Sequence, residues 1–191
     1  MKNNGLKANP EKFHLLLSEK SNEYSIAEKL LGILLDNGLT FDSHVSKLCL
    51  KASQKLHALS RICNLMNLTQ RKIIMKSFIH SQFGYCPLVW MLHSRRLNQR
   101  INNIHERALR IVYKDYLTPF EDLLNRDNSF RIHERNIQLL SIELFKIING
   151  LSPAIMYEVL PLKNEIRYPR QSKFITHNIK TVRYGTDSLA L

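Results

Sequence analysis

Glycine is scarce in this 191-residue chain: six residues, each placed singly, so no glycine-rich loop is available to cradle a phosphate. Cysteine is scarcer still. Cys49, Cys63 and Cys86 cannot all pair and none stands in a Cys-x-x-Cys spacing, which excludes a disulfide scaffold and leaves reduced thiols. No apolar run approaches the roughly 18 to 20 residues of a membrane span, and the opening MKNNGLKANPEK has no signal-peptide core. The expectation is an intracellular protein with no membrane part. Catalytic constellations are thin as well. Glu121-Asp122 is the only adjacent acidic pair, and it falls in the first turn of an expected helix, where negative charge suits the helix dipole. The eight histidines form no His-Glu-x-x-His pattern. Cys86 and His93 make half a zinc ligand set without a second pair, so Cys86 is expected in the core and no metal ligand is assigned.

What the chain has is positive charge, unevenly spread. The net charge of +12 divides into +2 for residues 1 to 60, +8 for 61 to 116, −2 for 117 to 160 and +4 for 161 to 191. Concentration of this kind points to a polyanionic partner, nucleic acid first and a membrane surface second.

The stretch Lys29 to Asp36, KLLGILLD, organises the rest. It is a nearly continuous apolar run of strand length with the turn Asn37-Gly38 behind it. Before it, Met1 to Asn4 reads as a helix end closed by Gly5, and Phe13 to Ser18 and Tyr24 to Ile26 read as strand pieces. After it the pattern is helical. Asp42 is an expected N-cap, and Val45, Cys49, Ala52, Leu56, Leu59, Cys63 and Met66 form one seam over about six turns. A second helix is expected with Thr69 as cap and Leu68 stapled on Ile73, ending before Gly84 and Pro87. A third opens at Ser94 and buries Leu97, Ile101, Ile104, Ala108 and Val112. Thr118-Pro119-Phe120-Glu121 fits a capping box for a short helix to Leu124, followed by helices over about 130 to 149 and from Ser152-Pro153 to about Val159. Beyond Pro161 the periodicity ends in a basic, turn-rich tail expected to be poorly ordered.

On the third helix Arg96, Arg100, Arg107, Arg110 and Lys114 recur at steps of four, seven, three and four, which sets them along one stripe. Only Glu106 and Asp115 offset them. A charged stripe is commonly just a solvated face, but so few acids make phosphate contact an equal expectation.

Five blocks, in order, carry a resemblance: NGLKANPEKFHLLLS, LLGILLD with FDSHV, SQFGYCPLVWMLHSRRLN, IHERALRIVYKD and TVRYGTDSL. Together they resemble the C-terminal half of reverse transcriptases from jockey-type non-LTR retrotransposons, over nearly the whole chain. The resemblance implies that residues 1 to 41 are the palm end and primer grip, 42 to 160 the helical thumb and the region after it, and 161 to 191 a basic tail. Lys12 matches the lysine such enzymes place near the incoming nucleotide. Gly32 matches the primer-grip glycine, whose backbone approaches the primer terminus. A glycine in a strand also lets another backbone come close on physical grounds alone.

The family's Tyr-x-Asp-Asp element has no counterpart here: Tyr113-Lys114-Asp115-Tyr116 has one aspartate. The resemblance therefore implies a fragment truncated on both sides, inactive alone, without cofactor, whose complete enzyme would use Mg²⁺ on the missing palm and fingers. The expected fold is α+β, mainly α, with a short N-terminal β-ribbon before a helical bundle. The expected partner is an RNA/DNA or DNA duplex, held through phosphates by Arg96, Arg100, Arg107, Arg110 and Lys114 and approached at the primer terminus by Gly32. Two rivals are a helical interaction module, using the Val45 to Met66 seam to bind a partner helix, and a helix-turn-helix DNA reader, which the long intervals between helices disfavour.

Overall fold

The computed structural model describes residues 28 to 153, 155 and 156. Lys12, the strand pieces before Glu28 and the basic tail lie outside the described residues. The fold is mainly helical, with a two-stranded antiparallel hairpin ahead of six α-helices among the described residues.

KLLGILLD is not one strand. It folds back on itself as β1 (Glu28–Leu30) and β2 (Ile33–Leu35), with Leu30 opposite Ile33 and Glu28 opposite Leu35. The two residues between them, Leu31 and Gly32, have φ of 47° and 91°. Positive φ at both positions is what a type I′ turn needs, and this turn matches the twist of the flanking strands. Glycine takes it freely, whereas leucine gives up about 1 kcal/mol or more there. The phenol of Tyr85 offsets that by donating to the Leu31 carbonyl at 2.7 Å. The hairpin's apolar surface divides: Ile33 is buried, Leu34 and Leu35 are half-buried, and Leu30 and Leu31 face solvent.

The helices are α1 (Asp42–Ile62), α2 (Leu68–Phe78), α3 (Pro87–Trp90), α4 (Arg95–Tyr113), α5 (Phe120–Asp127) and α6 (Ile132–Ile148). Helix α4 is the centre, packed on α1, α2, α5 and α6, while α3 rests on α6. From α1, Val45, Cys49, Ala52, Leu56 and Leu59 are at most 1% exposed, so the expected seam exists and its partners are helices of the same chain. That removes it as a docking face. From α4, Leu97, Ile101, Ile104, Ala108 and Val112 are all buried, and Trp90 is fully enclosed with Nε1 donating to the Tyr85 carbonyl at 2.9 Å.

Helix ends differ from expectation more than helix bodies do. Asp42 is the first helical residue, not the cap; the carboxylate at work is Asp36, which accepts from the Thr40 N–H and hydroxyl. Asn67, not Thr69, caps α2, through a reciprocal pair with Gln70 at 2.9 and 3.0 Å. Leu68 and Ile73 are both exposed, so no staple closes over that cap. Thr118 does not cap α5 because its hydroxyl is drawn to Asp115 at 2.8 Å, and α5 runs on to Asp127. Gly150, at φ 72°, ends α6: its N–H bonds the Ile147 carbonyl and the Leu151 N–H bonds that of Lys146. Cys86 is exposed, not core, because it takes a left-handed φ of 44° just before Pro87 starts α3. Cys49 and Cys63 are buried free thiols.

Candidate nucleic-acid interface

Two basic regions flank α1 and α4. The first is a cleft of about 210 Å³ between the hairpin and the start of α1, lined by Lys29, Gly32, Leu34, His44, Lys47, Leu48 and Lys51. Its lining holds three lysines and no carboxylate. Lys47 and Lys51 are one helical turn apart, so both ammonium groups reach the same side. Gly32 sits at the rim as the second residue of the hairpin turn. A Cβ there would meet the Tyr85 ring at an ordinary 3.6 Å, so backbone conformation, not crowding, selects glycine.

His44 has a defined tautomer. The Leu34 N–H donates to Nδ1 at 3.3 Å, so the ring proton resides on Nε2. Burial, reinforced by the charges of Lys51 and Lys47, lowers its pKa and keeps the ring neutral at pH 7. Nε2 is buried without a hydrogen-bond partner among the described residues. A neutral donor beside three ammonium groups suits an anion and repels a cation.

The second region is the α4 stripe. Arg96, Arg100 and Arg107 are exposed and make no ion pair among the described residues. Arg110 does not stand with them. It is half-buried, its Nη2 lies 2.7 Å from Glu106 one turn back, and its Nη1 bonds the Tyr116 carbonyl. Lys114 is exposed but past the end of α4, in the left-handed C-cap position with φ 55°. The stripe is thus three unpaired guanidinium groups, one that braces the helix end, and one lysine at the cap.

The His44 and Trp90 rings are 6.3 Å apart, so the cleft histidine lies beside α3. The Cys49 thiol, pushed up to about 11 by burial, also feels the opposing charge of Arg100. Lys29, Lys47, Lys51 and His44 were not expected to contribute. A lysine repeat at 47, 51 and 55 was visible on the flank of α1, but only the fold places it against Gly32.

Asp115 of the Tyr-Lys-Asp-Tyr stretch is occupied locally, accepting from Leu117 N–H, Thr118 N–H and the Thr118 hydroxyl, with the hydroxyl bond foremost in lowering its pKa. Among the described residues no three His, Cys, Asp or Glu side chains converge on a point that could hold a metal ion, so no metal-borne step is assigned to them. No helix among them is long and apolar enough to cross a membrane. Comparison with family models, curated proteins and solved structures gives no match.

Proposed function

We propose that this chain holds a nucleic-acid duplex by its phosphates, as the thumb and primer-grip part of an RNA-directed DNA polymerase of the jockey-type non-LTR class, and has no polymerase activity by itself. The observations that carry the reading are the carboxylate-free lining of the Lys29–Lys47–Lys51 cleft and the exposed Arg96, Arg100 and Arg107, which make no ion pair among the described residues. Exposed lysine and arginine neutralise backbone phosphates whatever the sequence, and displaced counterions supply the driving force. Gly32 at the cleft rim adds an approach for the strand end. The block resemblance described above supplies the polymerase context.

The test is the salt dependence of duplex binding. The triple variant Arg96→Gln, Arg100→Gln, Arg107→Gln should flatten the plot of log K against log salt by about 2.7, at roughly 0.9 per lost phosphate contact. An unchanged slope refutes the reading. A protein-interaction role has its own supporting observation, since Leu139, Ile142 and Phe145 are exposed along α6. Self-association insensitive to salt and to duplex would favour that role.

A further inference from the structure

A second cleft, of about 580 Å³, opens between the end of α2 and the start of α6 and shares no residue with the basic surface above. Lys76, His80 and Ser81 line one side, Asn128, Ser129 and Phe130 another, and Arg135, Asn136 and Leu139 come from α6. The volume falls within the roughly 300 to 1,000 Å³ usual for small-molecule sites.

Three features of its lining are unusual together. Lys76 and Arg135 are cations that make no ion pair among the described residues, and no carboxylate lines the cleft. Asn136 is 1% exposed, yet neither its Oδ1 nor its Nδ2 has a hydrogen-bond partner within the described chain. A buried amide left with both a donor and an acceptor unmatched costs stability that a ligand can restore. Phe130 presents an aromatic ring that is 59% exposed. The neighbouring cleft beyond Phe130 is different in kind: it carries Glu121 and Glu134, both engaged by Arg131.

We propose that this cleft binds one nucleotide, its phosphate held by Lys76 and Arg135, its base face on Phe130 and its base edge on the amide of Asn136. A carboxamide offers one donor and one acceptor side by side, which matches the N6 and N7 edge of adenine. An exposed phenyl ring is a stacking surface for any base, and paired cations without carboxylates select a phosphate. The nucleotide has two possible sources, a free mononucleotide and an unpaired residue of a strand.

The test is an NMR titration of the full chain with AMP, followed on the Asn136 side-chain amide. That resonance pair should shift saturably, and Lys76→Ala, at an exposed position, should weaken binding about tenfold by loss of one charge-assisted contact. Phe130→Ala should weaken AMP and leave inorganic phosphate unaffected. A single-stranded oligoadenylate that binds tighter than AMP identifies a strand as the source; AMP binding without oligoadenylate binding identifies the free nucleotide. An immobile Asn136 resonance, or inorganic phosphate binding as tightly as AMP, overturns the proposal. The Arg96, Arg100, Arg107 variant should bind AMP unchanged, and Lys76→Ala should keep the duplex salt slope, so either proposal can fail without the other.

Discussion

Helix α4 has two buried sides that are built on different principles. The side carrying Leu97, Ile101, Ile104 and Ala108 belongs to an apolar core, mostly aliphatic with Phe83, Trp90 and the Cys49 thiol, shared with the α1 seam. The side carrying His105 and Asn102 sets polar groups beside the buried Leu109. His105 is fully buried, its ring edge-on to His80 at 4.7 Å and to Phe120 at 5.6 Å, with no hydrogen bond to either ring nitrogen among the described residues. Burial drives His105 down to about 3 and His80 down to about 4, so both are neutral at pH 7. One side therefore contributes stability at any pH. The other is held inside at a cost that depends on pH, because desolvation penalises its charged forms.

The sharpest way to break the contrast is on the aliphatic side. Leu56, 1% exposed in the α1 seam, has no solvent path to relax into. Leu56→Ala should lose about 4 kcal/mol, the upper part of the range for a leucine cavity, in urea unfolding at pH 7. A loss under about 1 kcal/mol would mean that the seam collapses around the gap and is not the rigid half of the interior.

The same division explains what was legible in the sequence. The aliphatic side announces itself through spacing, since Leu97, Ile101, Ile104, Ala108 and Val112 repeat with the helix, and the seam from Val45 to Leu59 does likewise. The polar side could not be read, because a histidine on a helix looks alike whether it faces water or a ring from another element. Local competition hid more. Asp115 draws Thr118 away from the α5 cap, Glu106 draws Arg110 out of the basic stripe, and Lys114 terminates α4 where its spacing suggested continuation. The N-terminal β-ribbon was legible but its tight turn was not, because Leu31 occupies a left-handed position that apolar residues rarely take, held by Tyr85 from 54 residues away. The Arg96, Arg100 and Arg107 face was legible; the Lys29–Lys47–Lys51 cleft needed two elements to meet.

Acid should act chiefly on the polar side. An unfolded histidine binds its proton near pH 6.5, whereas His105 and His80 in the fold do so only near 3 and 4. Their contribution to stability is thus complete above about pH 6.5 and is lost as the pH falls towards those values, since the unfolded chain then binds more protons. The buried His44 and His133 shift in the same direction. Stability at pH 5 should lie on the order of 3 kcal/mol below that at pH 7, about 1.4 kcal/mol per pH unit for each of the two strongest groups. Leu56→Ala should show the same pH difference as the parent chain. A flat profile between pH 5 and 7 would show that both rings find proton partners in the fold.

The smallest effect is also the most specific. Replacing His105 by leucine removes two buried nitrogens that have no partners and keeps an apolar group of similar volume in contact with His80 and Phe120. Exchanging an unsatisfied polar group for an apolar one of similar shape is neutral to stabilising, so His105→Leu should gain about 1 kcal/mol at pH 7 after the lost edge-on ring contacts are subtracted. Its larger signature is in the pH dependence: with one of the two dominant groups gone, the difference between pH 5 and pH 7 should fall by roughly half. A destabilised variant with the parent's pH slope would mean that the imidazole is bonded inside the fold and that the two sides of α4 do not differ in the way described. Because His80 remains beside it, the residual slope in His105→Leu measures how much of the acid sensitivity belongs to that second ring alone.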